Sequence, residues 1–324
     1  MIRVLPVGLL AACGAPPPVS ATAADGVSLG LFASDALYDY GSLVEEIDGL
    51  GADALLLVVP VDLADSTASV PRLGVPLPTL QRTLRQAHAA GLSVSVMPVI
   101  DLGARAHAGD WRGRLAPSEP ERFWAAYGAA LDRIAVAAEA GGATRLVVGS
   151  ELSSLESDSD RWEAVIAQAR TRFGGRLTYS ANWDHHREVP FWDALDEVGV
   201  SAYHPVDAGP DRAWTDALEA ARATADGQPL VITEYGYPAL ASAAERPWDE
   251  TTGATSDEAL QARLYEAAHR ALGCAAPAAT FAWNWFGLEA DPASPFSPRG
   301  RPAAAVLREH FATDPSQRCP SERT

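Results

Sequence analysis

The sequence is poor in positive charge: its 324 residues include 25 basic and 42 acidic side chains, which gives a formal net charge of −17. A protein that binds nucleic acid or an anionic membrane surface needs a basic patch, so this balance argues against both partners. No apolar run reaches the ~20 residues that a membrane-spanning helix requires. An uncharged polymer such as a polysaccharide is compatible with this composition.

Several motifs of large enzyme classes are also missing. The sequence contains no GxGxxG or GxxxxGKS stretch, which removes the usual nucleotide cofactors, and no GxSxG nucleophile elbow. It lacks the HxH and HExxH spacings of metal sites. Asp184, His185 and His186 could still ligate zinc or manganese, and His204 with Asp101 offers a second set. Since adjacent histidines in a loop are usually surface residues, we expect no metal and no cofactor.

Cysteine is scarce, with three in the chain, and one of them lies in a distinctive N-terminus. An apolar stretch after Arg3 ends in Leu10-Ala11-Ala12-Cys13, which resembles the lipobox of bacterial lipoproteins. The resemblance implies a signal peptide over residues 1–12 and a lipid on Cys13. The Pro-rich segment 13–25 then forms a tether. We expect an exported protein, periplasmic or at the cell surface, that touches the bacterial membrane only through this lipid anchor.

From residue 26 to residue 313, eight apolar segments alternate with helical patterns. Continuous apolar runs in this setting are typical of parallel strands buried on both faces. The predicted strands are 27–32, 52–60, 92–100, 146–148, 177–182, 198–203, 230–233 and 280–285. Ser118 and Glu121 predict a capping box for the helix that follows the third strand. The count predicts an α/β protein with a single (β/α)8 TIM barrel, followed by a tail over residues 314–324.

Two glutamates stand at the ends of two of these strands. Glu151 follows the run 145–150, and Glu234 follows the apolar run 230–233. A charge does not belong inside a buried strand, so each should lie at the carboxyl end, which is the catalytic face of such a barrel. A single glutamate at a strand end is more often a solvated charge or an ion-pair partner than a catalytic residue. Together, two carboxylates on different strands are typical of glycoside hydrolysis.

Aromatic, amide and carboxylate side chains collect at the same strand ends. Aromatic rings offer apolar platforms for the C–H faces of a sugar, and polar side chains bind its hydroxyls. The predicted substrate-binding residues are Asp101, Trp111, Asn182, Trp183, Tyr203, His204, Tyr235, Trp283 and Trp285. Trp124, Trp162 and Trp192 lie within helical patterns, so we predict that they pack in the core.

In these regions the chain resembles glycoside hydrolase family 113, retaining β-mannanases with a (β/α)8 barrel. The segments that carry the resemblance are 110–113 (DWRG), 149–152 (GSEL), 177–183 (LTYSANW), 191–193 (FWD), 199–205 (GVSAYHP), 232–237 (ITEYGY) and 281–285 (FAWNW). The resemblance implies that Glu151 is the general acid/base and Glu234 the nucleophile, with Tyr203 nearby. It also implies that Trp283 and Trp285 form the floor under the sugar.

Two positions depart from the family pattern. Ser150 precedes the acid/base where the family tends to threonine, and Met97-Pro98-Val99 stands where a Lys-Pro-His-like group is expected. We predict a monomeric retaining β-glycoside hydrolase that acts on a β-linked polysaccharide or oligosaccharide, with β-1,4-mannan favoured. The alternatives are a catalytically weak carbohydrate-binding surface lipoprotein and a metal-dependent hydrolase.

The two remaining cysteines, Cys274 and Cys319, each follow a predicted helix. Helices end and strands begin at the bottom of a barrel, so both should lie on the face opposite the two glutamates. In an oxidising compartment a disulfide between them would hold the C-terminal tail in place. The alternative is one buried thiol and one loose thiol.

Overall fold

A computed structural model of the chain describes residues 24–33, 35, 37–103, 110–250, 255–285 and 294–319. Nine strands are present among these residues, eight of them parallel. They are β1 (Ala24–Gly30), β2 (Ala54–Leu63), β3 (Arg72–Leu73), β4 (Ser93–Leu102), β5 (Arg145–Ser150), β6 (Arg176–Asn182), β7 (Val198–Ser201), β8 (Leu230–Tyr235) and β9 (Ala279–Ala282). The short β3 is the exception, since it pairs antiparallel with the end of β2.

Helices connect the parallel strands at every step except one. They are α1 (Gly41–Asp48), α2 (Leu77–Ala89), α3 (Pro120–Ala140), α4 (Ser159–Arg170), α5 (Pro210–Ala225), α6 (Glu258–Ala275) and α7 (Pro302–Ala312). The connection from β6 to β7 carries only a three-residue 3-10 helix, Trp192–Ala194. The outer ring of helices is therefore thinner over β7 than elsewhere.

The sheet closes on itself, because β1 pairs in parallel with both β2 and β9. The remaining parallel strands follow in chain order between them, which confirms the predicted (β/α)8 barrel. None of the helices in the described part of the chain is long and apolar enough to cross a membrane.

Alternate residues of each strand face either the barrel interior or the helices. The interior core consists of Ala54, Leu56, Val58, Met97, Val99, Val147, Val231, Ala279 and Phe281. Met97 and Val99, which stand where a polar group was expected, are thus part of this core. The outer core includes Trp124, Trp162 and Trp192 in contact with other rings, which confirms their predicted packing role.

Several predicted element ends differ from the observed ones by a few residues, among them those of the helix α3 and of the last strand. The helix α3 begins at Pro120 after Glu119, and neither Ser118 nor another local side chain caps it. The Glu119 backbone N–H instead donates to Ser69 Oγ at 2.8 Å, so the cap comes from a distant loop that local sequence cannot reveal. The last strand, β9, ends at Ala282, before the predicted end at residue 285.

Both ends of the described chain are docked at the bottom of the barrel. The strand β1 starts at Ala24, so the predicted tether ends earlier than residue 25. The Asp25 carboxylate accepts a hydrogen bond from Thr280 at 2.6 Å and pairs with Arg318. Residues 314–319 therefore belong to the barrel rather than to a free tail. The predicted signal peptide 1–12 and lipidated Cys13 lie outside the described residues and stay predictions.

Cys274 at the end of α6 forms a disulfide with Cys319, which confirms the predicted pairing. Arg318, the neighbour of Cys319, pairs with Asp25 at the start of β1, so the bond lies at the bottom of the barrel as expected. Disulfides are typical of oxidising compartments, and the bond agrees with the predicted export without testing it.

Removing this disulfide should lower stability measurably. The bond joins residues that are 45 positions apart, for which loop-closure entropy gives about 4 kcal/mol. We expect the double variant Cys274→Ser, Cys319→Ser to lose about 2–4 kcal/mol in the free energy of unfolding, measured with urea. The reduced native protein is the matched control and should unfold like the variant. Equal stability of variant and oxidised native protein would contradict this role.

Candidate active site

Glu234 faces the barrel interior because β8 carries one extra residue. Val231 belongs to the interior core and Ile232 to the outer core, so strict alternation would place Glu234 outside. The pairing of β8 with β7 shifts register between Ile232 and Glu234, which is the signature of a β-bulge. Thr233 and Glu234 both point inward as a result, as their hydrogen bonds to interior side chains show.

The end of β5 is bulged in the same way. Its pairing with β6 shifts register between Val147 and Ser150. Gly149 lies within this bulge, and an added Cβ would come within 2.7 Å of the Trp162 ring. Only glycine therefore fits at this position, and the strand can turn Ser150 back toward the interior.

Glu151 follows this bulge in a strained backbone conformation. Its φ is 54°, in the left-handed region that residues other than glycine rarely adopt. Two hydrogen bonds hold the segment on either side of the strained bond: the Glu151 N–H donates to the Ser180 carbonyl at 2.8 Å, and the Leu152 N–H donates to the Tyr179 hydroxyl at 2.7 Å. Strain of this kind persists where the surroundings fix a functional side chain.

The Glu151 carboxylate accepts hydrogen bonds from a cation and from a hydroxyl. Arg112 donates from a guanidinium nitrogen at 2.7 Å, and Ser201 donates from its Oγ at 2.5 Å. Burial by itself would lower the pKa of Arg112, but the charges of Glu151 and Glu234 raise it above its ordinary value. The Arg112 guanidinium and the Ser201 hydroxyl therefore hold the Glu151 carboxyl in place from two sides.

Glu234 has weaker partners and a raised pKa. It is 1% exposed, and it accepts hydrogen bonds from Tyr203 at 3.2 Å and from Ser150 at 3.3 Å. Burial and the negative charge of Glu151 raise the pKa of Glu234 to about 8, against the opposing effects of Arg112 and the two hydroxyls. At neutral pH Glu234 of the ligand-free protein therefore holds a proton.

Three of the predicted substrate-binding residues lie around this pair. Tyr203 contacts Glu234 directly. Trp283 packs against the interior core, so its ring lies at the barrel mouth. Trp111 precedes Arg112, and its ring covers Gly113, where an added Cβ would come within 2.0 Å of the indole.

Three others face away from the carboxylates, and their predicted sugar contacts do not fit these positions. The Tyr235 hydroxyl bonds to His269 Nε2 at 3.0 Å, on the helix side of the barrel. His204 packs edge-on against a tryptophan of α5, also outside the barrel. The Trp285 indole N–H donates to the Glu46 carboxylate of α1 at 3.1 Å, so this ring is not placed to form the predicted floor under the sugar. The physical reason is strand alternation: when Glu234 turns inward, Tyr235 must turn outward.

The remaining predicted residues lie on the rim of the barrel. Asp101 is exposed beside Asp62 of the neighbouring strand. The Asn182 amide donates to Asp184 at 2.8 Å within the turn that ends β6. Trp183 stacks on Trp248, with ring centres 5.9 Å apart and planes 17° from parallel. Trp248 is 47% exposed, so this pair offers a flat apolar surface of the kind that binds sugar rings.

Two of the three histidines considered as metal ligands, His185 and His186, have other partners. His186 Nδ1 lies 2.8 Å from Thr224 Oγ1, and His185 lies 3.5 Å from a Glu156 carboxylate oxygen. Within the described ranges, no group of three or more His, Cys, Asp or Glu side chains is arranged to hold a metal ion.

Sequence reasoning missed three residues of this region. Arg112 and Ser201, the two partners of Glu151, lie in the DWRG and GVSAYHP segments, but no role was assigned to either. Trp248 lies in the loop after β8 and matches no pattern. A charged residue next to a rim tryptophan was the one signal that could have indicated Arg112.

The family model of Glycoside Hydrolase Family 113 matches residues 78–291, about two thirds of the chain. The chain belongs to this family, and the protein is a glycoside hydrolase. The match spans both Glu151 and Glu234, and it includes Arg112 and Ser201.

Solved structures of this family share the fold. The GH113 β-mannanase AaManA from Alicyclobacillus acidocaldarius, in complex with ManMIm, is 23% identical with a TM-score of 0.78; 88% of this chain and 96% of that chain are covered. Two structures of a GH113 β-1,4-mannanase, one of them a complex, are 20% and 19% identical, with TM-scores of 0.80 and 0.79. The matched regions cover 90% and 89% of this chain, and 99% and 98% of the two mannanase chains. No curated protein matches the chain.

Proposed function

We propose that the protein hydrolyses β-1,4-linked mannan or manno-oligosaccharides with retention of configuration, with Glu234 as nucleophile and Glu151 as general acid/base. The observation that carries the proposal is the pair of buried carboxyls at the ends of β5 and β8: Arg112 bonds to Glu151 and its charge acts on Glu234, which accepts a hydrogen bond from Ser150, the residue before Glu151. Family membership favours an enzyme over the alternative of a carbohydrate-binding lipoprotein. The β-mannanases of similar structure support mannan as the substrate.

The first chemical step requires Glu234 in the ionised form, so that it can attack the anomeric carbon, and Glu151 in the protonated form, so that it can deliver its proton to the leaving oxygen. Arg112 lowers the pKa of Glu234, so its positive charge favours the ionised nucleophile. The Tyr203 hydroxyl, which donates to Glu234, stabilises the same carboxylate.

The second step reverses the role of Glu151. After the leaving group departs, its carboxylate can remove a proton from water, which attacks the glycosyl ester on Glu234. Ser201 keeps the carboxylate in position through its hydrogen bond at 2.5 Å. The backbone of Glu151, which is held on both sides by Ser180 and Tyr179, allows the carboxyl little freedom to turn away.

Substrate selection has to use residues other than Met97 and Val99 of the third parallel strand, β4. Met97 and Val99 are buried in the interior core and offer no polar group to a sugar hydroxyl. The ring of Trp283 and the rim pair Trp183–Trp248 are the available aromatic surfaces.

The stereochemistry of hydrolysis tests the proposal directly. A nucleophilic Glu234 gives two successive inversions, so the first-formed sugar from an aryl β-mannoside should be the β-anomer. Proton NMR recorded before mutarotation should show this signal first, and mannan should be cleaved faster than glucan or xylan. The α-anomer as first product would remove Glu234 from the nucleophile role, and a preference for glucan or xylan would overturn the substrate assignment.

A further inference from the structure

A cavity of about 450 Å³ lies on the outer side of the barrel, between α5 and the loop that joins β6 to β7. Its inner wall is formed by Val200 of β7 and Ile232 of β8, both of which face the helices rather than the barrel interior. Glu234 and Glu151 face the interior, so the sheet itself separates the cavity from the two carboxyls. We call this space the side cavity.

Two features of the sequence leave the side cavity open. The β6–β7 connection contains only the 3-10 helix Trp192–Ala194, so no full helix covers β7 on this side. The wall that α5 contributes is rich in alanine, with Ala213, Ala217, Ala220 and Ala221 among the lining residues. Side chains this short cannot fill the space that the missing helix leaves.

His204 is the lining side chain whose polar atoms are buried without a partner in the described part of the chain. It is 7% exposed, and its ring packs edge-on against Trp214 with ring centres 4.5 Å apart. Neither ring nitrogen has a hydrogen-bond partner of acceptable geometry among the described residues, although the Ala202 backbone lies close enough to affect its pKa. A buried polar group without a partner costs free energy, and such groups usually meet a water or a ligand.

The lining defines the chemistry of a suitable ligand. Burial lowers the pKa of His204 to about 4, so at neutral pH the ring has one N–H donor and one acceptor nitrogen. A hydroxyl group can complement either nitrogen. The charged lining residues Asp184, Asp216 and Arg187 carry no net positive charge, which disfavours an anion. The volume lies within the range of small-molecule pockets, about 300–1,000 Å³.

We propose that the side cavity is a second binding site, which takes a neutral hydroxylated aromatic molecule whose ring lies among the alanines of α5 and whose hydroxyl bonds to His204. The site does not depend on the proposed mannan specificity. It does adjoin the active site along the chain, because His204 follows Tyr203, the residue that donates to Glu234.

Phenol and toluene are the probes, since they share a ring and differ in one hydroxyl. Binding to the full-length protein can be measured by titration calorimetry and by ligand-observed NMR. A net hydrogen bond of about 0.5–1.5 kcal/mol corresponds to about 2- to 10-fold tighter binding of phenol than of toluene. His204→Phe should lower the affinity for phenol to that for toluene and leave the affinity for toluene unchanged. Ala217→Leu, which occupies the cavity, should weaken both probes at least about 10-fold.

Three controls separate this site from the active site. Both variants should keep native melting temperatures, and Ala217→Leu should keep native glycosidase activity, whereas Glu234→Gln should lose activity and bind phenol normally. Mannobiose should not displace phenol. The proposal fails if phenol shows no saturable binding, if it binds no tighter than toluene, if Ala217→Leu leaves its affinity unchanged, or if mannobiose competes with it.

Discussion

Replacing Glu234 with alanine should reduce kcat by at least about 10³-fold, because the variant has no nucleophile and the glycosyl ester cannot form. Glu234→Gln should lose as much kcat although it keeps the shape of the side chain. This variant therefore separates loss of chemistry from loss of folding. Both variants should retain the native melting temperature and bind manno-oligosaccharides. A variant with more than a few per cent of native activity would exclude Glu234 as the nucleophile.

Azide can distinguish the two glutamates by the product that it forms. In Glu234→Ala a small anion can enter the space of the missing carboxylate and attack the anomeric carbon directly, so the product from an aryl β-mannoside should be the α-mannosyl azide. In Glu151→Ala the glycosyl ester on Glu234 still forms if the leaving group is good, and azide then attacks the ester to give the β-mannosyl azide. If the two variants gave the opposite products, the assigned roles would be reversed.

Arg112→Met should shift the pH dependence of kcat/KM to higher pH. The active form of the enzyme holds one proton on the carboxyl pair, so native activity should decline above about pH 8, where the pair loses that proton. The positive charge of Arg112 lowers the pKa of Glu234, so its removal must raise this pKa. Both limbs of the bell-shaped profile should therefore move upward, and activity on the acidic limb should fall about tenfold for every pH unit that the limb moves.

Arg114→Met is the matched control, because Arg112 and Arg114 lie on one short 3-10 helix, Arg112–Arg114, and Arg114 is exposed. It should leave the pH profile unchanged. Arg112→Lys keeps the charge and should move the limbs less than Arg112→Met does. A structural role for Arg112 would lower kcat/KM equally at every pH, and an unchanged profile in Arg112→Met would contradict the proposed control of the proton.

The sequence alone determined the barrel and the identity of the two carboxyl residues. Eight apolar runs separated by helical patterns require strands buried on both faces, and closure of the sheet follows from that count. A charge at the end of such a run has no place except the strand end, which is why Glu151 and Glu234 could be singled out without coordinates. The positions of Cys274 and Cys319 after two helices likewise placed both at the bottom of the barrel, and the structure decided that they form a disulfide.

The tertiary structure decided which side of each strand its residues occupy. Side-chain direction alternates with a period of two, so one extra residue in β8 reverses every direction after it. Nothing in the local sequence marks that bulge, and for this reason Tyr235 was assigned to the sugar site although it contacts α6. The partners of Glu151 were equally invisible, because Arg112 and Ser201 lie 39 and 50 residues away and meet it only when the barrel closes.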